Sequence, residues 1–193
     1  MEDLKRVFIH ELGHFVAREI NHRYYGATPV KNILIYPHNA FLYEGETNPV
    51  FSEDEREKNA PAKKDLAAYL ALTVYGCFFQ CYYLKQSLGE CFKENGYKDT
   101  EQWHGSLREH HLDDYRSEIT PVEEEFFERL KAEEILKDFM ELEPEKYLLS
   151  NGTNSFKVNL DLLRADTDNL IAKHHDTYQQ LIDSYEAFIN KQR

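Results

Sequence analysis

Cysteine is scarce in this chain. There are three among 193 residues, Cys77, Cys81 and Cys91, and they form no zinc-ribbon pattern. Their odd number fits a reduced compartment. Basic residues are outnumbered, 23 Lys and Arg against 35 Asp and Glu, and the net charge of −12 excludes nucleic acid as a partner. The same charge argues against adsorption to an anionic membrane. Residues 1–9 include Glu2, Asp3, Lys5 and Arg6 and lack the apolar core of a signal peptide, so a cytoplasmic protein is expected. No internal repeat or low-complexity segment occurs.

One long uncharged run is present, Leu66 to Leu84, whose 19 residues meet the length rule for a membrane span. It contains Thr73, Gly76, Gln80 and four tyrosines, Tyr69, Tyr75, Tyr82 and Tyr83. That polarity predicts a buried central helix instead. Aromatic residues make up 13% of the chain, so the core is expected to be aromatic-rich.

The stretch Val7 to Val16 reads as an amphipathic helix carrying His10-Glu11-Leu12-Gly13-His14. A spacing of four is about one helical turn, so His10 and His14 project from one face. Two imidazoles so placed can hold one zinc ion, and Glu11 can reach a zinc-activated water as general base. With 9 His and 23 Glu in the chain, a bare match is only a hypothesis. Gly13 sharpens it, because a costly mid-helix glycine suggests close backbone approach beside the site.

The first helix is expected from about Asp3, a plausible N-cap, to His22. Val30 to Tyr36 reads as a strand, Pro37-His38-Asn39 as a turn, and Ala40 to Tyr43 as the hairpin partner. Gly45 to Asn59 is polar and expected to be loop. Pro61 suits the start of the helix that contains the uncharged run. Cys77 and Cys81, four apart on it, read as buried small hydrophobes. Gly89 and Asn95-Gly96 mark a connection holding Trp103. Further helices are predicted over His104–Ile119, from Thr120-Pro121 to Leu142, and from Leu160 to Ile189. The class is mainly α with a small β hairpin or sheet (α+β).

A catalytic zinc needs a third protein ligand. In the extended motif of the metzincins that ligand is a His six residues after the second one, but Ile20 stands there. No known spacing supports His22. The acidic candidates are Glu44, Glu46 and Glu53 after the hairpin, or the pair Asp113 and Asp114. On a helix through His110-His111-Leu112-Asp113-Asp114-Tyr115, Asp114 would share a face with His110, His111 and Leu107.

The first 45 residues resemble the start of the peptidase domain of FtsH-type proteases, the zinc-dependent halves of membrane AAA machines. That family shows a His-Glu-x-Gly-His helix, a Pro-Val-x-Lys-Val-Thr-Ile-x-Pro strand and a hairpin strand with an aromatic residue. Here His10 to His14, Pro29-Val30-Lys31-Asn32-Ile33-Leu34-Ile35-Tyr36-Pro37 and Ala40-Phe41-Leu42-Tyr43 stand in that order. Tyr75-Gly76 falls where the family has a buried Gly-Gly-Arg-Ala-Ala-Glu-Glu helix, although Cys77-Phe78-Phe79-Gln80 replaces its Arg-Ala-Ala-Glu.

The resemblance implies a single FtsH-peptidase-like domain over residues 1–193, with a zinc-site core in 1–120 and a C-terminal helical part in 121–193. It implies an Asp as third ligand, at the start of a later helix and typically in Asn-Asp-Leu. Asp114 is the expected residue, with Asp113 or a Glu as alternatives. The implied activity is a zinc metallopeptidase acting on peptides or unfolded polypeptides. No Gly-x-x-x-x-Gly-Lys-Ser/Thr phosphate loop occurs in the chain, so an unfolding motor would be a separate ATPase partner. The family also suggests a homo-oligomer. Two rival readings are a repressor-cleaving regulatory peptidase, with a downstream Glu as ligand, and a non-catalytic peptidase-like binding module.

Overall fold

Two helices that touch backbone to backbone organise the protein. A computed structural model describes residues 2–39, 42–50, 66–93 and 96–192. Helix α1 (Glu2–Tyr25) crosses α2 (Leu66–Leu84) at Gly13 and Gly76. A Cβ on Gly13 would stand 2.5 Å from the Tyr75 carbonyl oxygen and 2.9 Å from the Gly76 Cα. Helix α2 is long and apolar enough to cross a membrane, yet 78% of its most apolar window is buried inside the protein. It is a core helix, uncharged throughout because most of its surface is covered.

Around this pair run β1 (Val30–Pro37), β2 (Tyr43–Pro49), α3 (Leu88–Lys93), α4 (Tyr97–Glu109), a 3-10 turn (Asp113–Tyr115) and α5 (Arg116–Ala132). Short helices α6 (Lys137–Met140) and α7 (Pro144–Tyr147) follow, then β3 (Leu148–Ser150), β4 (Phe156–Val158) and the long α8 (Leu160–Lys191). The fold is mainly helical with one antiparallel sheet, in the order β2-β1-β4-β3. Aromatic contacts tie the outer helices to α2. Phe78 stacks on Phe127 at 5.6 Å, Phe79 meets Phe139 at 5.3 Å, and Tyr75 meets Tyr178 edge-on at 4.9 Å.

Several elements differ from expectation. Strand β2 covers Tyr43–Pro49, where a polar loop was predicted, pairing Pro37 with Tyr43 and Val30 with Pro49. Its sequence lacks apolar alternation because it is an edge strand whose inner side meets the polar side chain of Glu11. Of the expected partner Ala40–Tyr43, Ala40 and Phe41 lie outside the described residues, as does Pro61. The C-terminal part is not purely helical, since β3 and β4 complete the sheet. Asp3 lies inside α1 instead of capping it. Its carboxylate accepts from Arg6 Nε (2.8 Å) and from the Tyr43 N–H (2.6 Å), tying β2 to the first turn.

Helix α4 ends ten residues earlier than the predicted 104–119 helix. His111 adopts φ 59°, the His111 N–H bonds the Arg108 carbonyl (3.1 Å), and the Leu112 N–H bonds the Leu107 carbonyl (2.8 Å). This is a Schellman cap, with Leu107 and Leu112 as its buried apolar pair. The motif usually has Gly where His111 stands, so the stop signal is hidden. The next helix then starts at Arg116 and takes Thr120 and Pro121 into its interior.

Glu123 on α5 is the most deeply buried acid outside α1 among the described residues. Its carboxylate accepts from the Tyr185 hydroxyl. Burial, opposed by that bond and by Trp103, pushes it up to about 8. A carboxyl raised from about 4.5 in the unfolded chain costs stability progressively as pH climbs from about 5 to 8. Glu123→Gln is therefore expected to flatten the fall of Tm between pH 5 and 8 and to be the more stable protein at pH 8. Calorimetry at both pH values checks this; parallel curves for the two proteins would refute it. Gly13→Ala is expected to cost about 1–3 kcal/mol in urea denaturation, because the added methyl meets backbone that has no free end to yield.

Candidate metal centre

His10, Glu11 and His14 sit on the buried middle of α1, where the crossing with α2 leaves room for imidazoles and little else. A Cβ on Gly76 would fall 2.3 Å from His14 Nε2, so only glycine lets that ring lie across α2. His14 Nδ1 faces the Leu72 carbonyl at 3.1 Å. A carbonyl only accepts, so Nδ1 carries the proton and Nε2 of the neutral ring presents its lone pair inward.

The third group comes from α4. Gly96 precedes this helix, and a Cβ there would stand 2.4 Å from Cys77 Sγ. The absence of that atom lets the helix start against α2 and carries Asp99, in its first turn, to the histidines. Asp99 Oδ2 is 2.9 Å from His10 Nε2 and 3.3 Å from His14 Nε2, and the two nitrogens are 3.2 Å apart. Three ligand atoms on one tetrahedral zinc with bonds of about 2.0–2.1 Å are about 3.3 Å from each other. The donor set fits the ion in kind and in spacing.

The electrostatics point the same way. Burial alone would raise the Asp99 carboxyl, but His14 and His10 hold it well below the usual range. Burial likewise disfavours charge on His14, but Asp99 outweighs it and lifts the imidazole to about 9. Two ring nitrogens and a carboxylate oxygen facing one point require a cation there, whether proton or metal. Desolvation also raises the Glu11 carboxyl, against the opposing pull of His10, His14 and Thr47.

Glu11 is held from its far side. Thr47 Oγ1 donates to Glu11 Oε2 at 2.8 Å, and Gly45 packs so close that a Cβ would lie 2.6 Å from Oε1. A base gripped at one oxygen by an edge strand has the other for a second partner.

No family model, no curated protein and no solved structure matches the chain. The geometry of the site therefore carries the argument alone.

Of the expected ligands, the structure brings together His10 and His14, with Glu11 beside them, and leaves Asp114 out. Asp113 and Asp114 are exposed on the 3-10 turn beyond the cap at His111, so the helix that would have aimed Asp114 inward does not exist. Asp99 takes that place. Glu44 pairs with His38 (2.7 Å) and Lys98 (3.0 Å), and Glu46 accepts from the Tyr36 hydroxyl (2.6 Å). Glu53 lies outside the described residues. Thr47, Gly45 and Gly76 were not anticipated as parts of the site. The signal for Asp99 was an acid in the first turn after the Asn95-Gly96 break.

A second grouping shares His10. One of its ring nitrogens lies within 4.8 Å of the Cys77 and Cys91 sulfurs, which supplies the third partner the cysteines lacked in the sequence. Both thiols are buried and free. The hydrogen bond from Cys91 is the largest single influence and favours a Cys77 thiolate, but burial together with the neighbouring Asp99, Cys81 and Glu123 outweighs it and the thiol is pushed up. Cys91 is raised by the same bond and by burial. Metals bind thiolates, so the ionised Asp99 set is the better cation site. Zinc titrations followed by calorimetry are expected to show Asp99→Ala weakened at least as much as the 10–100-fold typical of losing an outer-shell partner. Asp114→Ala should bind as wild type does, and the reverse pattern would restore Asp114.

Proposed function

We propose that the protein is a zinc-dependent metallopeptidase that hydrolyses peptide bonds in unfolded or flexible polypeptides. The observation that carries this is the convergence of His10 Nε2, His14 Nε2 and Asp99 Oδ2 on one point, beside the carboxylate of Glu11. His10, His14 and Asp99 would hold the ion, which supplies Lewis acidity that polarises a carbonyl and makes water acidic.

The remaining work falls to the chain. Glu11 accepts the proton of the attacking water and returns it to the departing amine nitrogen. Thr47 fixes the orientation of Glu11 while this happens. Strand β2, an edge of the sheet among the described residues, offers its open backbone to an extended polypeptide. Because Gly45 and Thr47 of β2 touch Glu11, a strand added there would pass the base. An extended, unfolded segment satisfies such an edge and a folded surface does not.

The order of His-Glu-x-Gly-His helix, hairpin, buried helix and Asp near the start of a later helix supports an FtsH-type peptidase domain, with Asp99 in the ligand role. A separate ATPase would supply unfolded chains. The variant with a downstream Glu as ligand draws no support from Glu44 or Glu46, both engaged elsewhere.

Zinc-loaded wild type is expected to cleave casein, an unfolded substrate. Glu11→Gln should keep the metal and lose about 100- to 10,000-fold in rate. Intact casein after incubation with metal-loaded wild type would leave a binding module as the better description.

A further inference from the structure

Beside the metal centre stand two buried thiols with a donor network of their own. Cys77 on α2, Cys91 on α3 and one ring nitrogen of His10 lie within 4.8 Å of one another. Ligand atoms around a tetrahedral ion with bonds of about 2.3 Å to sulfur stand about 3.8 Å apart, inside that limit. Gly96 makes the approach possible, because a Cβ there would press on both sulfurs. Its N–H also bonds the Cys91 carbonyl at 2.8 Å.

The surroundings of Cys91 suit a thiolate. Gln80, fully buried on α2, donates from Nε2 to Cys91 Sγ at 3.4 Å. Arg6 Nη1 in turn donates to Gln80 Oε1 at 3.2 Å, which fixes the amide with its donor end toward the sulfur. Such a hydrogen bond strengthens when its acceptor is ionised. His10 has coordinating capacity to spare, since it is 8% exposed and its Nδ1 has no hydrogen-bond partner among the described residues. Cys81 is committed elsewhere, its thiol donating to the Ser87 carbonyl at 3.4 Å.

We propose that Cys77, Cys91 and His10 bind a soft divalent cation of the cadmium type, and that this ion and one held by His10, His14 and Asp99 exclude each other. Both thiols are pushed up, so the incoming ion must displace their two protons to solvent. Zinc, borderline in softness, is better served by the set whose carboxylate is already ionised. A softer ion reverses that order, because its bonds to sulfur offset the cost of deprotonation. Two thiolates, a neutral imidazole and a divalent ion carry no net charge, which suits a buried place. A monovalent soft ion would leave one negative charge in the interior.

Exclusion follows from His10. A neutral imidazole has one lone pair, whichever nitrogen carries it, so the ring serves one ion at a time. A soft ion on the thiolates would withdraw His10 from Asp99 and His14 and switch off the proposed peptidase. That consequence rests on the peptidase reading. The binding itself does not.

Cadmium chloride added to metal-free protein is expected to produce the ultraviolet charge-transfer absorption of a thiolate-bound ion, saturating at one equivalent. Cys77→Ser and Cys91→Ser should each lose this band and weaken cadmium more than about tenfold. Cys81→Ser and Asp99→Ala should keep it. A wild-type protein that binds cadmium without the band, or a band that survives both Cys77→Ser and Cys91→Ser, would overturn the site, and the wild-type titration decides even where a variant fails to fold. With zinc present at about 100 times its own dissociation constant, cadmium should bind about 100-fold more weakly. In Asp99→Ala that competition should largely disappear. Cadmium affinity unaffected by zinc in wild type, or competition undiminished in Asp99→Ala, would overturn the sharing of His10. The absorption needs no substrate, so it stands apart from the casein assay, and a protein that cleaves nothing could still show it.

Discussion

The close crossing of α1 and α2 at Gly13 and Gly76 is the constraint on which the rest depends. Without a Cβ at either position, the two backbones approach to a distance that ordinary side chains forbid. Gly13 admits the Tyr75 carbonyl, and Gly76 admits the His14 ring. The same contact that builds the core therefore places one imidazole across the second helix, with its Nδ1 on the Leu72 carbonyl. Packing and chemistry are here one arrangement. A larger residue at position 76 would not loosen the core so much as displace the His14 ring.

Burying charge in such a place demands compensation, and the structure supplies it in two ways. At the centre, Asp99, His10 and His14 offset one another within hydrogen-bonding distance. At Glu123 no cation stands among the described residues, so the carboxyl is raised and leans on the Tyr185 hydroxyl. The difference is one of partners, since both carboxyls are withdrawn from water. An ionised group is held where positive charge converges, and a neutral one where only dipoles are available. Glu11 lies between these cases, beside two histidines but gripped by a hydroxyl and a glycine strand.

Much of this was legible in the residues. His10, Glu11, Gly13 and His14 announce their helix, and the uncharged run at Leu66–Leu84 announces a buried one. Periodicity finds α8 nearly to its ends. What failed did so for local reasons. His111 takes the left-handed position that glycine normally announces, so the end of α4 was invisible and Asp113 and Asp114 were placed on a helix face. Strand β2 has no apolar alternation because its inward position touches a carboxylate. Strands β3 and β4 are three residues each, too short for any period to show. Asp99 could not be singled out by spacing, because its place is set by Gly96 packing on Cys77, a contact between residues far apart in the chain.

The remoteness of Asp99 from His10 and His14 in the chain would have a thermodynamic consequence for a metal held by all three. His10 and His14 come from one helix and stay near each other in any state that keeps α1 helical, whereas Asp99 joins them only when α4 is docked on α2. A metal bound by all three favours the docked state by the full difference in its affinity for two ligands and for three. Trp103 and Glu123 are buried by the same docking. The docking of α4 would thus settle both the metal affinity proposed for the three groups and the neutral state of Glu123. A site assembled this way is sensitive to anything that moves α4.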